Sequence, residues 1–94
     1  MNIISDLREI YPTIRERYSV ERIGIFGSFS RGDESSESDI DVLVDFKETS
    51  FKNYMGLLHF LEDRYHRKVD LVTVPALHYR LRPQIMKEVK WCET

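Results

Sequence analysis

What is scarce in this sequence narrows its place before any motif is read. A single cysteine, Cys92, cannot form an internal disulfide, so nothing points to an oxidising compartment. No apolar run approaches the length that crosses a bilayer, and the N-terminus carries no secretory signal pattern. The expectation from these absences is a cytoplasmic protein with no membrane association. Excess positive charge is missing as well. With 14 Lys and Arg against 16 Asp and Glu, the formal charge of −2 argues against a surface built for general nucleic-acid binding. Internal repeats, low-complexity linkers and composition shifts that would mark a boundary are also missing. At 94 residues, 41% hydrophobic and 32% charged, the expectation is one globular domain over residues 1–94, with one core.

What is present begins with an amphipathic stretch, Asn2 to Tyr18. Ile3, Ile4, Leu7, Ile10, Tyr11, Ile14 and Tyr18 recur at helical spacing, with Arg8, Glu9, Arg15, Glu16 and Arg17 on the opposite side. Pro12 lacks a backbone donor and disfavours helix at Tyr11, so the stretch reads as a short helix followed by a second one near Pro12. Arg22 to Phe26, short and rich in β-branched and aromatic residues, reads as a strand ending at Gly27. Ser28 to Arg31 reads as the start of a short helix. Ile40 to Phe46 is apolar on both faces (Ile40, Val42 and Val44 against Leu43), the pattern of a central strand covered on both sides.

The second half continues in the same way. Thr49 or Ser50 caps a helix marked by Phe51, Tyr54, Met55, Leu58, Leu61 and Tyr65. Its cationic end, Arg64, His66, Arg67 and Lys68, suits the helix dipole without any ligand. Val69 to Val74 reads as a third strand stopped by Pro75. Ala76 to Trp91 reads as a further helix, with Pro83 in its first turn and Ile85, Met86 and Val89 as its apolar stripe. The fold class that follows is α/β (α+β): a small sheet of about three strands with helices packed on it.

The chemistry concentrates between residues 27 and 44. Gly27-Ser28 ends a strand. After ten further residues, Asp39-Ile40-Asp41 opens the next one. Residues i and i+2 of a strand share a face, about 6.6 Å apart by strand rise, so Asp39 and Asp41 can reach a common cation or cation pair. Oxygen-only donors suit Mg²⁺, which leaves coordination positions open for phosphates. The glycine turn lets backbone N–H groups approach those phosphates, and Arg31 can add a bidentate guanidinium contact. Asp45 shares the same face but lies about 13 Å beyond Asp39, too far for the same ion. Asp70 is unexpected at the start of an apolar strand, where a carboxylate is costly unless paired or metal-bound, and it completes a set of three with Asp39 and Asp41. In-line phosphoryl chemistry between oxygens held by two ions about 3.5–4 Å apart is what such a set serves. Asp33, Glu34 and Glu37 read as solvated loop charges. His59, His66 and His78 have no metal-ligand spacing, and Arg80, Arg82, Lys87 and Lys90 read as a solvated helical face.

These residues together resemble a known pattern. Gly27-Ser28, ten residues, then Asp39-Ile40-Asp41 is similar to the signature of the DNA polymerase β-like nucleotidyltransferase superfamily. The longer phrase GIFGSFSRGDESSESDIDVLVDF, with KVDLVT at residues 68–73, resembles the minimal nucleotidyltransferase (MNT, MntA-like) family over nearly the whole chain. The resemblance implies a nucleotidyltransferase fold with a mixed, twisted sheet, and an NTP substrate, usually ATP, used with Mg²⁺. By the same resemblance Gly27 and Ser28 match the phosphate-binding pair, and Asp39, Asp41 and Asp70 match the metal-binding carboxylates. Arg31-Gly32 matches the Arg-Gly that follows the pair. It further implies a role as the antitoxin of a HEPN-domain toxin, with AMP transferred to a toxin tyrosine. Two alternatives stand beside it: an antitoxin that neutralises by binding alone, and a transferase acting on a small molecule. After the core is built, little chain is left to grip an acceptor. The acceptor surface is therefore expected from another chain, a partner or a second copy.

Overall fold

In a computed structural model describing residues 2–92, the order is α1 (Ile3–Tyr18), β1 (Val20–Phe26), α2 (Ser28–Arg31), β2 (Ile40–Phe46), α3 (Phe51–Tyr65) and β3 (Val69–Thr73). A 3₁₀ turn (Val74–Ala76), α4 (Arg82–Glu88) and β4 (Lys90–Trp91) follow. The sheet order is β3-β2-β1-β4. β1 runs antiparallel to both β2 and β4, while β2 and β3 are parallel, joined through the α3 crossover.

β2 is interior, and its two apolar faces show why. Ile40, Val42, Val44 and Phe46 join Ile23 and Ile25 of β1 beneath α1 and α3, against Leu7, Ile14, Leu57 and Leu61. On the other face Leu43 packs with Phe26 and Leu77, covered by Ile85, Met86, Val89 and Trp91 of the tail. The sheet is therefore a middle layer, with two long helices on one side and the C-terminal segment on the other.

α1 is one uninterrupted helix through Pro12, not the pair of helices its sequence suggests. A proline inside a helix costs about 3 kcal/mol. Ile3, Leu7, Tyr11 and Ile14 are all buried on its inner face, at about 1.5–3 kcal/mol for each such side chain, and this outweighs the proline. Pro12 itself faces solvent, and just before it the Tyr11 hydroxyl donates to the Glu21 carbonyl at 2.6 Å, tying the helix to β1. Asn2 caps the N-terminus, its side chain accepting from Ser5 N, and Ser19 ends the helix in the left-handed region.

The tail departs further. Residues 76–91 do not form one helix: α4 covers only Arg82–Glu88, and Lys90–Trp91 adds a fourth strand beside β1 where about three strands were expected. Gly24 explains the pairing. A Cβ there would lie 2.8 Å from Val89 Cγ2, 2.9 Å from the Lys90 carbonyl and 3.0 Å from the Trp91 ring, so its bare backbone is what lets the tail close onto β1. Smaller shifts are that β1 starts at Val20, two residues early, and that β3 stops at Thr73, with Val74 in the 3₁₀ turn. α3 is capped by the Ser50 hydroxyl, which accepts from Asn53 N at 3.0 Å.

Candidate active site

Asp41 is the residue around which the site closes. Strand register sets it opposite Phe26 of β1 on one side and Asp70 of β3 on the other. Side chains of register partners in a parallel pair share a face, so Asp41 and Asp70 emerge together on the face of Leu43 that the tail covers. Asp39 lies one residue ahead of β2 rather than inside it, and it is exposed. Ile40 N, donating to the Lys68 carbonyl at 3.0 Å, fixes the chain between Asp39 and Asp41 against the start of β3.

The glycine turn is built against this carboxylate. Gly27 is buried with φ +72°, and a Cβ added there would collide with Asp41 Oδ2, so only glycine fits both the backbone and the space. Its carbonyl accepts from Ser30 Oγ at 2.8 Å, Ser30 N at 3.1 Å and Arg31 N at 3.2 Å, which locks α2 in place. Ser28, half-buried, opens that turn beside Asp41. Asp41 and Asp70 are thus held by the strand ladder, and Gly27 and Ser28 follow directly on the end of β1.

Electrostatically the site is unbalanced. Burial pushes the Asp41 carboxyl above the usual carboxylate range, and the charges of Asp70, Asp39 and Glu88 push it the same way, with Arg31 opposing. Asp70 is exposed on an edge strand, so the sequence argument that burial would force it to be paired or metal-bound does not hold here. Arg31 is exposed and engaged by Asp33 at 3.3 Å and Glu88 at 3.5 Å. Asp33 is an exposed loop charge, as expected, and also pairs with Arg31.

These residues fit a hard cation in donor type: every candidate ligand is a carboxylate oxygen, and a carboxyl raised by burial and by like-charged neighbours is one that a bound cation would relieve. The side chains as they stand are not gathered into a closed ligand set. Among the described residues no three His, Cys, Asp or Glu side chains meet that condition. Asp39 and Asp70 act on Asp41 by charge without closing with it around one point.

Sequence reasoning missed two residues at this end of the sheet. Arg67 donates to the Ser35 carbonyl at 3.2 Å and the Ser38 carbonyl at 2.8 Å, with its guanidinium 5.3 Å from the centre of the Phe29 ring. It pins the polar loop leading into Asp39, where a helix-end charge had sufficed as its explanation. Glu88 accepts a hydrogen bond from Gly27 N at 3.0 Å. No motif announces Glu88; the one available signal was Gly24, a glycine inside a strand, which marks a close approach of another segment. The histidines His59, His66 and His78 are exposed. Asp45 meets Arg22 at 3.7 Å, outside the site, as its spacing indicates. A surface hollow lined by Tyr11, Pro12, Arg15, Glu16 and Lys47 lies near the far end of β2 and shares none of these residues.

Set beside known proteins, the chain matches the nucleotidyltransferase domain family over residues 7–92. The protein adenylyltransferase MntA of Thermococcus cleftensis is 39% identical over 77 residues, covering 81% of this chain and 78% of that protein. A solved structure described provisionally as a minimal nucleotidyltransferase superposes with a TM-score of 0.80 at 31% identity, covering 94% of this chain and 91% of that one. A complex described as tri-AMPylated Shewanella oneidensis HEPN toxin with MNT antitoxin superposes with a TM-score of 0.67, covering 97% of this chain and 73% of that one. At 20% identity this last likeness speaks for the fold alone.

Proposed function

The chain belongs to the nucleotidyltransferase domain family, among its minimal members, and from that premise we propose that it moves AMP from ATP, with Mg²⁺, onto a tyrosine hydroxyl of a HEPN-type toxin for which it is the antitoxin. The observation that carries this reading is the register of Asp41 against both Asp70 and the end of β1, with Gly27 shaped around the Asp41 carboxylate. The names of the relatives support the rest: one is a protein adenylyltransferase, and one fold neighbour is an antitoxin bound to an AMPylated HEPN toxin.

The assignments follow from what each group can do. Asp39, Asp41 and Asp70 would hold the Mg²⁺, two ions in the reading above. When bound, the metal neutralises phosphate charge and lowers the pKa of the attacking hydroxyl. Gly27 and Ser28 offer backbone N–H groups and a hydroxyl to the phosphates, and Arg31 adds a guanidinium. In the transfer, a bond forms from the tyrosine oxygen to the α-phosphorus as the bond to the leaving pyrophosphate breaks. The phenol proton passes to the Asp70 carboxylate, which is exposed and so open to an acceptor arriving from outside. The acceptor tyrosine comes from the partner chain.

Incubation of the cognate HEPN-type toxin with α-labelled ATP, Mg²⁺ and this protein tests the reading. The expected result is a labelled toxin, with labelling abolished by Asp39→Asn together with Asp41→Asn. Labelling that survives the double substitution overturns the carboxylate assignment. Full neutralisation of the toxin by a double variant that no longer labels it overturns transfer as the antitoxic act.

A further inference from the structure

Glu88 reaches the site from the part of the chain that no motif covers. It is the last residue of α4, and the next residues, Val89, Lys90 and Trp91, are fixed against β1 at Gly24. That anchoring aims the half-buried Glu88 side chain back at the turn after β1. Its Oε1 accepts from Gly27 N at 3.0 Å and lies 3.5 Å from Arg31 Nη1. A backbone N–H and a guanidinium converging on one carboxylate oxygen are what a phosphate oxygen needs. Both groups belong to the set assigned above to the nucleotide's phosphates.

We propose that Glu88 is an internal stand-in for a nucleotide phosphate, occupying the Gly27 N–H and the Arg31 guanidinium until the triphosphate displaces it, and that it thereby sets how tightly this chain holds a nucleotide. The inference rests on the nucleotide-site reading and deepens it. Two consequences follow from its geometry. Glu88 and a phosphate oxygen cannot both take the one hydrogen of Gly27 N, so binding and the Glu88 contact exclude each other. A carboxylate left beside an arriving triphosphate also repels it, so the side chain must swing away from the turn, which an exposed guanidinium and a helix-end position permit. Apparent affinity is then the intrinsic affinity multiplied by the fraction of molecules in which Glu88 is not seated. If Glu88 is seated in about nine molecules of ten, removing its side chain tightens binding about tenfold.

Arg31 is engaged by Asp33 as well, at 3.3 Å through its Nε, so it keeps one carboxylate partner when Glu88 leaves. A positioning role for Glu88 on Arg31 and a stand-in role predict opposite effects of its removal. That separates a stand-in from a positioning residue: a stand-in weakens nucleotide binding while present, and a positioning residue strengthens it.

The test is titration calorimetry of α,β-methylene-ATP with Mg²⁺ into the wild-type chain, Glu88→Gln, Glu88→Ala and Glu9→Gln, a matched charge change at an exposed site on α1. The expected result is tighter binding by about tenfold in Glu88→Ala, a smaller tightening in Glu88→Gln, whose amide oxygen still accepts from Gly27 N, and wild-type affinity in Glu9→Gln. In parallel, the Gly27 amide resonance of the nucleotide-free protein should move on Glu88→Gln, which reads the contact even if Glu88→Ala folds poorly. A wild-type chain that binds while Glu88→Gln binds equally or more weakly overturns the stand-in and leaves the nucleotide site intact. No binding by wild type or by any variant overturns the nucleotide site and the stand-in with it.

Discussion

Two partly buried carboxylates of this small protein are treated in opposite ways. Asp6 on α1 accepts from Arg64 Nε at 2.7 Å and Nη2 at 2.8 Å, and from the Tyr65 hydroxyl at 2.7 Å. The hydrogen bond from Arg64 holds its carboxyl below the usual range, aided by Tyr65 and the Arg64 charge, with burial opposing. Burial pushes the Tyr65 phenol up, aided by its hydrogen bond to Asp6 and the Asp6 charge, with Arg64 opposing. Asp41 is held above the usual range by burial and by Asp70, Asp39 and Glu88. The cation near Asp41, Arg31, is shared with Asp33 and Glu88. Asp6 ties α1 to α3 and is complete. Asp41 is incomplete: burial and its acidic neighbours raise it with no cation of its own to offset them, which is what marks it as a candidate functional group.

The sharpest way to break this contrast is to neutralise each carboxylate in turn. Asp41→Asn is expected to reduce AMP transfer by about a thousandfold or more, as removal of a group that stabilises transition-state charge does. In metal-free buffer its thermal midpoint should be unchanged or higher, because a repulsive charge has gone. Asp6→Asn should do the reverse. It should lower stability by about 1–2 kcal/mol in denaturant titrations, the range for charged hydrogen bonds discounted for a partner more than a third exposed, and leave transfer at wild-type rate. A large stability loss in Asp41→Asn would erase the distinction.

A subtler separation comes from pH. The Asp6 carboxyl is lowered on folding, so its stabilisation is full above the ordinary value of 3.8 and is lost as pH falls below that, through its folded pKa. The Asp41 carboxyl is raised on folding, so the folded state holds its proton more tightly. The destabilisation this brings is absent in acid and grows as pH rises from 3.8 through its folded pKa. Stability curves followed by circular dichroism should therefore differ by variant. Asp41→Asn flattens the decline just above that value, and Asp6→Asn flattens the loss below it.

Much of the site could be read before the fold was seen, for a local reason. Gly27, Asp39 and Asp41 lie within one strand–turn–strand stretch, and Asp70 interrupts an obviously apolar strand, so alternation and turn signals suffice to find them. Pro12 shows where local preference fails. Four buried side chains decide α1, and the proline faces water. The tail shows the deeper limit. Ile85, Met86 and Val89 have helical spacing, yet Lys90 and Trp91 are strand because β1 offers an edge with a bare Gly24 in it. That is a contact across about 65 residues of chain, which no local window contains. Glu88 was missed for the same reason: its partner Gly27 is 61 residues away. Asp70 was found by an argument about burial that does not apply, since it is exposed on the edge strand.

The most direct measurement on Asp41 is carbon-13 NMR of the side-chain carboxyls during acid titration, with and without Mg²⁺. Without metal, the Asp41 carboxyl should titrate above the usual carboxylate range and Asp6 below it. Adding Mg²⁺ should pull the Asp41 transition to lower pH and leave Asp6 where it was. An Asp41 carboxyl that titrates at or below its ordinary value and ignores Mg²⁺ would contradict the account.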